Sequence, residues 1–75
     1  MELDKRNTLI ARETGLTVGE VGTYLAQFTV QTDGSWLVHF GFEADQSPDV
    51  ARKLPADKIV VVSKETVDSY ERGNG

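Results

Sequence analysis

Side chains able to do chemistry are few in this sequence, and their spacing does not indicate a catalytic site. His39 is the single histidine of the chain, which contains no cysteine. A serine nucleophile needs a base within hydrogen-bond reach and a third group that orients the base, and no serine here stands in a motif of that kind. Period-two alternation places His39 on the strand face opposite Trp36 and Phe40. We therefore expect a polar residue on the outer face of a strand, and a protein that is not an enzyme.

Three carboxylates, Glu43, Asp45 and Asp49, lie close together and invite comparison with a metal site. Their segment lacks the central glycine and the closing glutamate of a calcium loop. The glycines of segment 15–22 do not form the dinucleotide-binding G-x-G-x-x-G pattern, and they follow a predicted helix where that pattern follows a strand. We expect solvated loop acids near a helix N-terminus, with no metal and no cofactor.

Composition bounds the remaining function classes. The chain has 75 residues, with 12 acidic against 8 basic side chains and a net charge of −4. This sign of charge opposes general affinity for nucleic acid, which depends on basic side chains displacing counterions from phosphates. No apolar run approaches the roughly 18 residues of a membrane helix, and the N-terminal sequence has no apolar signal-peptide core. We expect a cytoplasmic protein with one small domain over residues 1–75, its last few residues disordered; a leader removed from a longer chain stays open.

A change of period predicts a β-hairpin after an N-terminal helix. The helix runs through the sequence LIARET and ends at a glycine, residue 15, in the left-handed conformation. Apolar and polar residues then alternate from residue 24 to residue 43. A three-residue loop, 32–34, with its glycine left-handed in a bulge, brings the large apolar residues onto one face. The predicted pairs are Val30 with Trp36, Phe28 with Val38, and Ala26 with Phe40.

The second half of the chain predicts a short helix, a third strand and an ambiguous tail. Ser47 and Pro48 begin a short helix that ends before Pro55. The apolar run IVVVS, residues 59–63, is typical of a strand buried on both faces. Segment 64–73 fits a helix and equally fits a turn with a short edge strand.

The predicted fold is α+β, with the N-terminal helix packed on a three-stranded antiparallel sheet and a short helix in the second connection. The predicted core residues are Ile10, Leu16, Phe28, Val30, Trp36, Val38, Phe40, Ile59 and Val61.

Segment 7–27 resembles the helix-turn-helix of repressor-type DNA-binding proteins. Ala11, Gly15 and Val21 match that family's small packing residue, turn glycine and anchoring branched residue, at its separations of four and six. The resemblance implies a second helix that reads DNA, with the hairpin as a wing. Its implied DNA contacts are Thr17, Val18, Gly19, Glu20 and Thr23.

The residues of segment 17–23 favour a different conformation, a loop that runs into the first strand. Gly19 and Gly22 would each cost a helix about 1 kcal/mol relative to alanine. The alternation of the strand already begins at Tyr24. Glu20 would also place an anion where DNA readers usually have arginine or lysine.

The whole chain more loosely resembles a PepSY-type module. The features shared with that family are a helix ending at a glycine, a hairpin whose second strand reads DGSWLVHF, and a strand like KIVVVSKET. The resemblance implies one helix packed on an antiparallel sheet, in a small peptidase-regulating or protein-binding domain.

The leading hypothesis is a non-enzymatic interaction module that binds another protein or a second copy of itself through the sheet. An apolar row on the second face of the predicted sheet supports it, because an exposed row of that extent marks an interface. This candidate interface consists of Leu25, Leu37, Val60 and Val62. A winged helix-turn-helix regulator is the alternative, and whether the chain forms a homodimer stays open.

Overall fold

A computed structural model describes residues 3–73 of the chain. The prediction that the last few residues are disordered falls partly on residues 74 and 75, which lie outside the described part. Four α-helices, one 3-10 helix and three strands make up this part of the chain. In chain order they are α1 (Leu3–Thr14), α2 (Val18–Tyr24), β1 (Leu25–Val30), β2 (Trp36–Phe40), the 3-10 helix (Phe42–Gln46), α3 (Pro48–Lys53), β3 (Ile59–Val62) and α4 (Lys64–Glu71).

The sheet confirms the predicted fold class. Its three strands are antiparallel in the order β1-β2-β3, and helices accompany them, so the protein is α+β. The predicted short helix lies in the connection between β2 and β3, as α3 after the 3-10 helix. Segment 64–73, which fitted two structures, is mainly the helix α4, and the Ser63 hydroxyl accepts a hydrogen bond from the N–H of Thr66 at its start. None of the helices in residues 3–73 has the length and apolar character required to cross a membrane.

Helix α1 ends where the sequence predicted. Gly15 has a φ of +83° and its N–H donates to the carbonyl of Ala11 at 2.8 Å. Leu16 follows it into the core. The glycine therefore reverses the chain and seats the next apolar residue, as in a left-handed helix cap.

Residues 18–24 are helical, so the loop predicted for segment 17–23 is wrong. Thr17 and Glu20 form a capping box: the N–H of Glu20 donates to Thr17 Oγ1 at 3.0 Å, and the N–H of Thr17 donates to Glu20 Oε1 at 2.9 Å. Val21 is fully buried in the core. Cap and burial together are worth about 2–4 kcal/mol, enough to offset the cost of the two helix glycines.

The predicted hairpin is confirmed at its tip and wrong at its base. Val30 lies opposite Trp36 and Phe28 opposite Val38, and Gly34 has a φ of +92° in the three-residue loop. At the base, Leu25 lies opposite Phe40, because a β-bulge shifts the register between Leu25 and Gln27. The extra residue of the bulge, Ala26, therefore does not pair with Phe40 as predicted.

Strand β3 faces the opposite way from the prediction. Val62 lies opposite Trp36 and Val60 opposite Val38, so these two valines share the core face with them. Ile59 and Val61 point to the other face and are 37% and 61% exposed. Their assignment to the core and the predicted burial of both faces of β3 were wrong, since one residue of register moves every side chain of a strand across the sheet. Val30 keeps its predicted face, but its assignment to the core was also wrong, because it is 59% exposed on the edge strand β1.

The core lies between the helices and one face of the sheet, which we call the core face. It confirms five predicted core residues, and Phe28 is half-buried against it. Its buried members are Leu9, Ile10, Ala11, Leu16, Val21, Trp36, Val38, Phe40, Ala44, Val50, Leu54, Val62 and Val67.

Candidate interaction surface

The face of the sheet opposite the core, here called the outer face, presents two rows of side chains. In one row, Leu37 of the central strand lies between Thr29 and Val61; in the other, His39 lies between Gln27 and Ile59. The apolar members are Leu37, Ile59 and Val61. None of these three belongs to the buried core cluster, whose strand residues all lie on the core face. The outer face therefore carries an apolar patch, with Leu37 half-buried and Ile59 and Val61 exposed, and its six side chains include no carboxylate, ammonium or guanidinium group.

Of the four residues predicted to form the interface, Leu37 alone lies on the outer face. Val62 is buried on the core face, and Val60 packs half-buried against the same core. Leu25 also packs against the core, because the bulge puts it opposite Phe40. The apolar residues of the outer face are therefore Leu37, Ile59 and Val61, in place of the predicted row.

The free edge of β1 offers unpaired backbone groups. The N–H of Gln31 donates to the carbonyl of Ser35 at 2.8 Å. Because pairing groups alternate along an antiparallel strand, Thr29 and Gln27 then direct theirs toward β2. The N–H and carbonyl groups of Phe28 and Val30 point away from the sheet, at its edge.

The free edge of β3 is partly blocked by contrast. The N–H of Phe40 donates to the carbonyl of Lys58 at 3.0 Å, which fixes the alternation on this side of β2. Ile59 and Val61 consequently direct their backbone groups away from the sheet. The carboxylate of Asp57 already accepts a hydrogen bond from the N–H of Ile59 at 3.1 Å.

A groove of about 360 Å³ borders the free edge of β1 on the core face. Phe28 and Trp36 line the groove, and their rings meet edge to face with centroids 5.1 Å apart. The guanidinium of Arg6 lies 4.9 Å from the centroid of the Phe28 ring. The residues that line the groove are Arg6, Phe28, Val30, Gly34, Trp36, Val67, Asp68 and Glu71.

The exposed face of α2 carries the residues implied by the helix-turn-helix resemblance. Thr17, Val18, Gly19 and Thr23 are exposed there. Glu20 is half-buried, and its carboxylate is engaged by the backbone of its own helix cap. The Thr23 hydroxyl donates to the carbonyl of residue 19 at 2.9 Å. No lysine or arginine lies within α2.

Of the three carboxylates considered for metal binding, Asp45 and Asp49 are engaged by cations and Glu43 is exposed. His39 is half-buried on the outer face, on the side predicted for it. The carboxylate of Asp45 forms a salt bridge of 2.8 Å with the ammonium of Lys58. The carboxylate of Asp49 forms a salt bridge of 2.8 Å with the guanidinium of Arg52. Within the described part of the chain, no group of three histidine, aspartate or glutamate side chains could hold a metal ion.

Two carboxylates at the hairpin end of the molecule have shifted pKa values. The Ser35 hydroxyl and backbone N–H both donate to Asp33, at 2.6 and 2.9 Å, and these hydrogen bonds lower the pKa of Asp33. Lys64 donates to Asp68 at 2.7 Å. This hydrogen bond, together with the electrostatic attraction between the two charged groups, lowers the pKa of Asp68 and raises the pKa of Lys64.

One strained residue escaped the sequence prediction. Lys58 has a φ of +59° at the end of the turn that leads into β3, and its side chain is only 10% exposed. Its ammonium also lies 5.9 Å from the ring centroid of Phe42, which is itself largely exposed. The sequence before β3, PADK, is typical of a turn, but it does not single out the residue that takes the positive φ.

Comparison with protein-family models, with curated proteins and with solved structures finds no match for this chain.

Proposed function

We propose that the protein is a small, non-enzymatic interaction module that associates with a second copy of itself through the outer face of its sheet. The observation that carries the proposal is the exposed apolar patch formed there by Leu37, Ile59 and Val61. Antiparallel sheets with one face on a core usually present polar side chains on the other. A contiguous apolar patch in that place is typical of a contact surface.

Charge favours a second copy as the partner. Each chain carries a net charge of −4, so two copies repel each other over most of their surfaces. The outer face bears no side chain of aspartate, glutamate, lysine or arginine. Two such faces can therefore pack at the usual distance of about 10 Å between sheets without bringing like charges together.

The small size of the chain supports the same conclusion. A domain of about 60 to 80 residues buries a modest fraction of its surface and gains little stability from its own core. The chain has no cysteine with which to form a disulfide. Burial of a second sheet face against another copy supplies additional apolar burial.

Sedimentation equilibrium of the wild type and of two lysine variants tests the proposal. Val61→Lys places an ammonium in the centre of the contact, whereas Val18→Lys places one on the exposed face of α2. We expect Val61→Lys to lower the mass of the assembly and Val18→Lys to leave it unchanged. A Val61→Lys variant with the wild-type mass would contradict the proposal.

DNA binding is a second candidate function, favoured by the helical conformation of residues 18–24. Helix α1, the turn at Gly15 and the capped helix α2 follow one another as in a helix-turn-helix, and a hairpin comes next. The exposed residues of α2 would then contact DNA, starting with Thr17 and Val18. The net negative charge and the anion at Glu20 oppose this function.

Titration with a mixed-sequence DNA duplex at about 50 mM salt separates the two functions, because even non-specific binding is strong there. Self-association as the main function predicts unchanged amide shifts for residues 17–23. DNA-dependent shifts confined to that segment and to the hairpin would make DNA binding the better assignment.

A further inference from the structure

We infer that a second copy of the chain also docks on the free edge of β1, so that two three-stranded sheets join into one six-stranded sheet. In this contact Phe28 of each copy lies opposite Val30 of the other. The contact uses the edge of the sheet, not its outer face, so it goes beyond the proposed function and does not depend on it.

The backbone of β1 is self-complementary at this position. Phe28 and Val30 direct their N–H and carbonyl groups outward, with Thr29 between them. A two-fold axis through Thr29 places the outward groups of Phe28 against those of the other copy's Val30, and the reverse. Each pair then exchanges two backbone hydrogen bonds, as in any antiparallel ladder.

The side chains favour the same register. Val30 is 59% exposed although it lies on the core face, and Phe28 beside it is half-buried. In the paired strands, each Val30 contacts the aromatic ring of the opposite Phe28, a favourable cross-strand combination. On the outer face, the two copies of Thr29 meet at the axis, which is also a favourable pair.

Nothing in β1 from Gln27 to its end repels another strand. Natural edge strands are commonly protected by charged residues, by proline or by bulges. The sequence of β1, LAQFTV, has neither charge nor proline, and its bulge lies at the opposite end, between Leu25 and Gln27. The unprotected part is therefore the part that carries Phe28 and Val30.

The groove beside this edge indicates a second copy and not an unrelated peptide as the occupant. The side chains that line it carry both signs of charge, a guanidinium from Arg6 and carboxylates from Asp68 and Glu71. A two-fold contact brings together surfaces that each contain both signs, so each sign can meet its opposite. A peptide that carries charge of one sign would meet a like charge among these lining side chains.

Two valines provide a matched test, because Val30 and Val61 are almost equally exposed on the two edge strands. Val30→Lys charges the edge of β1, and Val61→Lys charges β3 and the outer face. We expect Val30→Lys to halve the mass of the assembly measured by sedimentation equilibrium. If both contacts form, each single variant is a dimer and the double variant is a monomer; if the outer-face contact fails, Val61→Lys keeps the wild-type mass and Val30→Lys is a monomer.

Proline variants remove one hydrogen bond without adding charge. Val30→Pro deletes an outward N–H that β2 does not use, and Val61→Pro does the same on β3, so both should fold with similar losses. Circular dichroism verifies the fold of each variant. If the β1 edges pair, Val30→Pro should disrupt this contact and lower the mass of the assembly, whereas Val61→Pro should leave the β1 contact intact.

Amide hydrogen exchange gives a direct readout of the edge. The paired edge predicts that the amides of Phe28 and Val30 exchange slowly at high protein concentration. In Val30→Lys, the amides of residues 28 and 30 should both exchange fast. An isotope-filtered NOE between the Phe28 ring of one copy and the Val30 methyls of another fixes the register. A wild-type mass for Val30→Lys together with fast exchange at Phe28 and Val30 would overturn the inference.

Discussion

Trp36 and Val62 lie opposite each other in the ladder between β2 and β3, and both side chains are buried on the core face. This pairing fixes the parity of β3. Because of this pairing, the side chains of Val60 and Val62 lie on the core face, and those of Ile59 and Val61 lie on the outer face. The location of the proposed contact surface thus follows from one register.

Truncation of neighbouring valines in β3 measures that parity. Val62 is 1% exposed, so Val62→Ala should lower the free energy of unfolding by about 2 kcal/mol. Val61→Ala should cost less than about 1 kcal/mol, because it removes little buried surface. Urea unfolding at low protein concentration gives both values, and an equal or inverted order would contradict the register.

Alanine at two glycines of α2 should stabilise the protein. A Cβ added at Gly19 or at Gly22 would have its nearest neighbour at 3.9 Å, an ordinary contact. Each Gly→Ala change in this helix should therefore raise the free energy of unfolding by about 0.5–1 kcal/mol. Gly34→Ala is the contrasting control, since a φ of +92° and Lys64 Cγ at 3.2 Å make that change destabilising. A loss of stability at both helix glycines would argue against a helical segment 18–24.

The hairpin tip should make stability depend on pH in the acid range. The pKa of Asp33 in the folded chain is lowered by the hydrogen bonds from Ser35, below its ordinary value of 3.8. Its contribution is therefore fully present above that ordinary value and is lost as the pH falls through the lowered one. We expect Asp33→Asn to be less stable than the wild type at neutral pH, with a difference that narrows under acid. Thermal unfolding across this pH range measures it; a constant difference would be inconsistent with the bonds.

The ion pair of Lys58 should contribute more to stability than the pair on α3. Asp45→Asn leaves a largely buried ammonium without its carboxylate and should cost about 1–2 kcal/mol, a value held down by the exposure of Asp45. Asp49→Asn removes the largely exposed pair with Arg52 and should cost less than about 0.5 kcal/mol. Chemical denaturation of the two variants gives the comparison, and equal costs would show that Lys58 is solvated.

Local signals in the sequence predicted much of the fold. The glycine at the end of α1, the length of the hairpin loop and the pairing of Val30 with Trp36 all follow from turn chemistry and period-two alternation. The end of the first helix and the tip of the hairpin need no distant contact to form. These parts were therefore accessible from residue types and spacing.

The parts that could not be predicted depend on more distant contacts. The run IVVV has no alternation, so its parity is set by the pairing with β2 and by the turn at Lys58. The bulge at the base of β1 likewise has no glycine or proline to announce it. Helix α2 did carry a signal, because Thr17 and Glu20 have the spacing of a capping box. The prediction of a loop rested on the glycines, on the anion at Glu20 and on the alternation from Tyr24, and it did not use this signal.

The hydrogen bond from the N–H of Ile59 to Asp57 has a consequence for how far such an assembly can grow. If two copies join through β1, the strands left at both ends of the six-stranded sheet are copies of β3. There Asp57 already occupies the first outward N–H, and β3 is only four residues long, so this edge is shorter and partly blocked as a template for another strand. The two-fold contact uses both copies of β1 and is closed by its axis, so further growth along the sheet would depend on this partly blocked edge alone.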